Sequence, residues 1–81
     1  MNIYLTHISY DLLEDSYISV IIYDMLGNVI NNLFNTFQSS GYKSTQWNAT
    51  NNQGHIVSAG VYLYSIEAAE FRQTKKMILL K

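Results

Sequence analysis

Between Tyr17 and Tyr23 the chain alternates with a period of two. Ile18, Val20 and Ile22 fall on one side, and Ser19, Ile21 and Tyr23 on the other. This is how a strand reads when one face is turned into a core. Ile18, Val20 and Ile22 are therefore expected to be core residues, with Ser19 outward and Ile21 and Tyr23 partly covered. Runs rich in Ile, Val, Tyr and Thr predict further strands over Thr6–Leu13, Val29–Phe37, Tyr42–Trp47, His55–Val57, Val61–Ala68 and Phe71–Leu80. Polar segments separate them: Glu14-Asp15-Ser16, Asp24 to Asn28, Gln38 to Gly41, Ser58-Ala59-Gly60 and Ala69-Glu70. Asp24 is expected to bond its own backbone downstream, while Gly27 and Gly54 supply turn conformations that side chains resist. About seven short strands with turns every ~8–12 residues predict an all-β, Ig-like or fibronectin-III-like antiparallel β-sandwich.

Two segments are less clear. Val29, Ile30, Leu33 and Phe34 are also spaced for a helical turn, so Asp24 to Phe37 has a helical alternative. The last strand offers Met77, Ile78, Leu79 and Leu80 to both faces. Such a strand either lies inside a sheet or meets a partner, and self-association through it is one outcome.

At 81 residues, the chain is expected to be one domain, 1–81, with 1–5 disordered or extraneous. It has no cysteine, so no disulfide or thiolate zinc site supports it. A net charge of −1 argues against nucleic acid. No apolar run approaches the ~20 residues of a membrane helix, so no membrane insertion is expected. The N-terminus lacks a signal-peptide pattern. Proline is absent, so Asn, Gly, Asp and Ser make the turns.

No catalytic, cofactor-binding or metal-ligating set emerges. His7 and His55 have no partner at ligand spacing. Asp11, Glu14 and Asp15 read as a solvated turn rather than a glycosidase pair, which also needs a cleft. Asp24 with Asn48, Asn51 and Asn52 is a weak calcium candidate, since calcium favours charged oxygens. Ser39 and Ser40 have no base beside them. Tyr42, Trp47, Tyr62 and Tyr64 offer either a sugar-stacking platform or half-buried core aromatics, and Trp47 is assigned to the core. Lys75-Lys76 reads as a solvated pair guarding a sheet edge.

The residues also resemble known families. Thr6 to Leu12, Ser19 to Val29, Gly60-Val61-Tyr62-Leu63-Tyr64 and Thr74 to Lys81 resemble the C-terminal sorting domains of the type IX secretion system. Trp47-Asn48-Ala49-Thr50-Asn51-Asn52-Gln53-Gly54 is similar to a loop of the Ig-like domain in the flagellar hook-capping protein, with Asn48-Ala49 standing where that loop has Asp-Gly. The first resemblance implies a non-enzymatic signal exported through the periplasm to the cell surface or medium. Its implied partners are an outer-membrane translocon, a sortase-like peptidase and an N-terminal passenger domain. The recognition residues it implies are Gly60, Val61 and Tyr62 with Lys75, Lys76, Met77, Ile78, Leu79, Leu80 and Lys81. The second implies a structural Ig-like module in a hook-cap-like or multidomain surface assembly. An accessory carbohydrate-binding module using Tyr42, Tyr62 and Tyr64 is a third expectation.

Overall fold

The computed structural model describes residues 5–69 and 71–80. Expectations that fall on residues 1–4, on Glu70 and on Lys81 lie outside them; Leu5 is exposed. Six strands follow in order: β1 (Thr6–Leu12), β2 (Ser16–Asp24), β3 (Val29–Gln38), β4 (Gly41–Trp47), β5 (Gly60–Ala68) and β6 (Phe71–Leu79). β1 and β4 pair as one sheet, and the others form a second sheet in the order β3-β2-β5-β6. Every pairing is antiparallel.

The two sheets share one core. Ile8, Tyr10, Leu12 and Trp47 come from the smaller sheet; Ile18, Val20, Ile22, Tyr62, Ile66, Ala68 and Leu79 come from the larger. Burying an aliphatic side chain of this kind contributes about 1.5–3 kcal/mol, so β2 and β5 carry much of the stability. Tyr10 donates its hydroxyl to Gln38 Oε1 at 2.7 Å, joining β1 to the end of β3 across the layers. Burial pushes the Tyr10 hydroxyl pKa up, and the Gln38 contact offsets part of that rise.

β3 explains why its segment looked helical. Its register against β2 shifts twice, between Val20 and Ile21 and between Ile22 and Tyr23. Phe34 pairs with Val20 and Asn32 with Ile21, which leaves Leu33 extra; Asn31 pairs with Ile22 and Val29 with Tyr23, which leaves Ile30 extra. A bulge adds one residue and resets the alternation. Ile30, Leu33 and Phe34 thereby reach the core from one strand, at a spacing that mimics a helix. The segment is a turn and a strand, not a helix.

The strand expected at His55–Val57 is reduced to a single bridge between Thr50 and Ile56. Asn51 is the cause. Its Oδ1 accepts the backbone N–H groups of Gln53 and His55, both at 3.0 Å, and curls the chain tightly. Gly54 completes the curl at φ +84°, donating its N–H to Asn51 O at 2.9 Å.

Ala69, in the β5–β6 connection, has φ +52°. Its flanking residues Ala68 and Phe71 are paired, so the connection is short. A β-carbon is strained there, by roughly 1–2 kcal/mol. Ala69→Gly is expected to raise stability by about 0.5–1 kcal/mol after the added freedom of the unfolded chain is subtracted. Urea unfolding checks it, and an unchanged or lower midpoint would contradict the strain. Ser65 is buried, and its Oγ has no hydrogen-bond partner among the described residues. Ser65→Ala is expected to leave stability unchanged or raise it by up to about 1 kcal/mol. A clear loss would reveal a hydroxyl partner.

Candidate functional site

An open sheet has two edges, and here they differ. The β3 edge is plugged by the asparagine-rich loop. Asn52 donates its backbone N–H to Ile30 O at 2.9 Å, and its Oδ1 accepts the N–H of Asn32 at 2.9 Å. Asn31 reaches back, donating Nδ2 to Thr50 O at 2.8 Å. The loop therefore occupies ladder groups that would otherwise face water or another chain. The β6 edge has no such cover among the described residues: β6 is paired with β5 alone, and no loop backbone hydrogen bond reaches it. The last strand is thus not central, which corrects one of its two expected placements.

Nine residues form this free edge. Gln73, Lys75, Met77 and Leu79 share the core-side face with Ile66, Tyr64, Tyr62 and Gly60. Arg72, Thr74, Lys76 and Ile78 lie on the outer face, opposite Glu67, Ser65, Leu63 and Val61. Leu79 is buried and Met77 half-buried, whereas Ile78 is 63% exposed and Leu80 75% exposed. Arg72 is held by Glu67 at 2.6 Å. Lys75 and Lys76 are exposed, and neither makes an ion pair among the described residues.

The expected recognition residues do not form one patch. Val61 is on the outer face beside Ile78, but Tyr62 points inward. Its ring packs edge-on against Trp47 at 5.3 Å, and its hydroxyl donates to Ser58 O at 2.7 Å. Gly60 opens β5 at φ +154°. Tyr62 supports the edge from within and offers little to a partner.

The sugar-stacking platform is not formed. Tyr62 is buried, Tyr64 is half-buried on the core side and Tyr42 is 89% exposed on β4, so the three share no surface. The calcium candidate also loses its ligands. Asn51 and Asn52 spend their side-chain oxygens on backbone N–H groups, and Asn48 Oδ1 accepts from Thr50 Oγ1. Asp24 is committed to its own hairpin: Oδ1 accepts from the N–H groups of Leu26 and Asn28 at 2.9 Å, and Oδ2 accepts from Asn28 Nδ2 at 3.0 Å. Gly27 closes that turn at φ +91°. Among the described residues no group of His, Asp and Glu is placed to hold a metal.

Those bonds, led by the Asn28 side chain, hold the Asp24 carboxyl below the usual carboxylate range. A lowered folded pKa means stabilisation that is complete above the unfolded value and lost as pH falls through the folded one. Between pH 5 and pH 2 the wild-type urea midpoint is therefore expected to fall further than that of Asp24→Asn. Parallel declines would show that the bonds do not favour the charged form.

At one end of the sandwich a cavity of about 540 Å³ is lined by Asp11, Leu12, Leu13, Glu14, Ser16 and Phe71 among others. Asp15 lies beside it and accepts the Ser40 N–H at 2.8 Å, tying two turns together. Asp11 and Glu14 thus border a hollow whose wall also carries the Ser16 hydroxyl and the Phe71 ring.

The edge-plugging role of Asn31, Asn32 and Asn52 is invisible to strand-by-strand reading. One signal was present: asparagine is depleted in strands, and Asn31-Asn32 stands inside one.

The sequence profile of the FlgD Ig-like domain matches residues 6–70. The chain belongs to the FlgD Ig-like domain family. The crystal structure of FlgD from P. aeruginosa superposes on it with a TM-score of 0.74 at 25% identity, covering 91% of this chain and 57% of the FlgD chain. The chain therefore spans little more than half the length of that FlgD molecule. No curated protein matches it. The FlgD likeness makes the fold an Ig-like antiparallel sandwich of six strands, rather than about seven. The FlgD-family profile stops at residue 70, so β6 and its lysines lie beyond the matched segment.

Proposed function

We propose that this chain is a non-catalytic structural module of the hook-cap type, which holds a larger assembly together through its sheet surfaces. The observation that carries the reading is the FlgD Ig-like profile across residues 6–70, supported by the superposition on FlgD. The geometry agrees with a docking role. Asp15 and Asp24 are used in turns, while the outer edge of β6 is left unpaired among the described residues. Removing residues 6–80 in frame from the parent protein is the test. Assembly should be lost while the rest of the parent stays folded and abundant. Normal assembly without the module would refute the proposal.

A second reading is favoured by the outer edge of β6, which has no partner among the described residues, and by the likeness of Thr74 to Lys81 to type IX sorting domains. In this reading the module is an address label, exported through the periplasm to the surface. An outer-membrane translocon would read it and a sortase-like peptidase would remove it from its passenger. A passenger fusion lacking Lys75 to Lys81 should then stay in the periplasm. Export of the truncated fusion would dispose of this reading.

A further inference from the structure

The unequal edges of the larger sheet point to a specific partner chemistry. We propose that β6 is a docking edge for an extended, acidic segment of another protein, which adds to the sheet as a fifth strand beside Phe71–Leu79. The proposal deepens the structural-module reading by naming what the module holds.

The argument begins with the backbone. An edge strand turns alternate N–H and C=O groups outward, so a nine-residue strand offers roughly four donors and four acceptors to an added strand. Edges that proteins leave unused are usually shortened, bulged, covered or charged, most often with lysine. The β3 edge follows that rule: it carries two register shifts and is plugged by Asn52. β6 is neither bulged nor covered, since its register against β5 runs without a shift from Gly60–Leu79 to Ala68–Phe71; its guard is the lysine pair Lys75-Lys76, which turns away like-charged strands and leaves the edge open to acidic ones. The edges of the smaller sheet are seven residues each, and the lysine on β4, Lys43, already donates to Ser39 Oγ at 3.2 Å.

Charge then selects the partner. Lys75 and Lys76 are adjacent, so they project to opposite faces of the strand. Neither makes an ion pair among the described residues, while Arg72 on the same strand has Glu67. Directly opposed cross-strand charges of unlike sign attract and those of like sign repel. A second copy is a poor occupant. Antiparallel self-pairing centred on Lys75, the middle residue of β6, brings Lys75 against Lys75. A segment with two adjacent carboxylates meets one lysine on each face. Met77 and Ile78 stand next along the strand, half-buried on the core side and exposed on the outer side. They favour two adjacent apolar residues beside the carboxylates. The occupant is therefore an extended segment that pairs an acidic dipeptide with an apolar one, read through main-chain bonds and alternating side chains.

The test uses the whole 81-residue chain and two nine-residue probe peptides. Both alternate Thr and Val; one has two central glutamates and the other two central lysines. Titration is followed by amide NMR shifts and hydrogen exchange. The acidic peptide should bind about tenfold more tightly than the basic one, with shifts and protection along Phe71–Leu79. Raising the salt concentration should weaken it. The double variant K75E/K76E, changed only at exposed positions, should keep its unfolding midpoint and reverse the preference. Equal binding of both peptides, no binding at millimolar concentration, shifts centred on β3, or a concentration-dependent dimer that acidic peptide does not dissociate would each overturn the proposal. A failure here leaves the in-frame deletion result intact, so this inference and the broader module reading fail separately.

Discussion

Trp47→Ala is expected to leave most of the protein unfolded or close to its midpoint at 25 °C. Trp47 is 0% exposed, and its ring meets Tyr62 edge-on at 5.3 Å. Truncating a buried Trp typically costs about 3–5 kcal/mol, because apolar contact is lost and a cavity remains. A chain of 81 residues has roughly 4–12 kcal/mol of total stability at ~0.05–0.15 kcal/mol per residue. The loss therefore matches the whole at the lower end of that range, where a small chain without disulfides is expected to lie. The indole also donates Nε1–H to Thr50 O at 2.8 Å, which anchors the loop where it leaves β4. Trp47→Phe separates the two contributions. It keeps a ring against Tyr62 and loses the donor, but Thr50 O still accepts from Asn31 Nδ2 at 2.8 Å. No carbonyl is orphaned, so the phenylalanine variant is expected to lose only about 1–2 kcal/mol. Urea denaturation followed by circular dichroism reads both. Equal losses for the two variants would mean that the indole hydrogen bond, and not the ring, supplies the stability.

How much of this was legible beforehand depends on whether a feature is local. The alternation of Ile18, Val20 and Ile22 against Ser19 is local, and the three buried side chains lie where it places them. The sandwich follows from many such strands, and the likeness of Trp47 to Gly54 to the hook-capping loop agrees with the family the chain belongs to. What failed to show was non-local. β3 mimics a helix because its two extra residues, Leu33 and Ile30, are set by pairing with a different strand. His55–Val57 looks like a strand because it is apolar, but the Asn51 side chain bends it. Tyr62 and Tyr64 were grouped with Tyr42 by residue type, yet the pleat sends two of them inward and leaves one in water. The position of β6 at an edge cannot be read from β6 at all, since every strand with apolar residues on both faces looks central. Strand order is decided by which neighbour pairs with which, and here β5 lies between β2 and β6.

The other large effect concerns the plugged edge. Asn31→Ala with Asn52→Ala is expected to cost about 2–3 kcal/mol together, as the hydrogen bonds of both side chains, worth roughly 1 kcal/mol each, are removed and the Asn32 N–H loses its acceptor. Asn31 supplies Nδ2 to Thr50 O, and Asn52 Oδ1 takes the N–H of Asn32. These bonds hold the loop across β3 from 19 or 20 positions away in the sequence, so their loss loosens the loop and not just one contact. The backbone bond from Asn52 N–H to Ile30 O then holds the loop against β3 without these side chains, while Trp47 Nε1 anchors the loop where it leaves β4. Whenever the loosened loop swings away, β3 exposes ladder groups flanked by Val29, Phe34 and Phe37, of which Val29 and Phe37 are already 48% and 57% exposed. An open edge with apolar neighbours templates pairing with other chains. The double variant is therefore expected to show two linked changes: a lower urea midpoint, and slow sedimentation into oligomers at concentrations where the wild type does not form them. Each single variant should lose about half as much stability, because the two asparagines bond different backbone groups. Hydrogen exchange provides the decisive reading. In the double variant the Asn32 amide should lose its protection while Ile21 and Ile22 on the paired strand keep theirs. If Asn32 stays protected, the loop does not depend on these side chains, and the asymmetry between the two sheet edges rests on something other than asparagine.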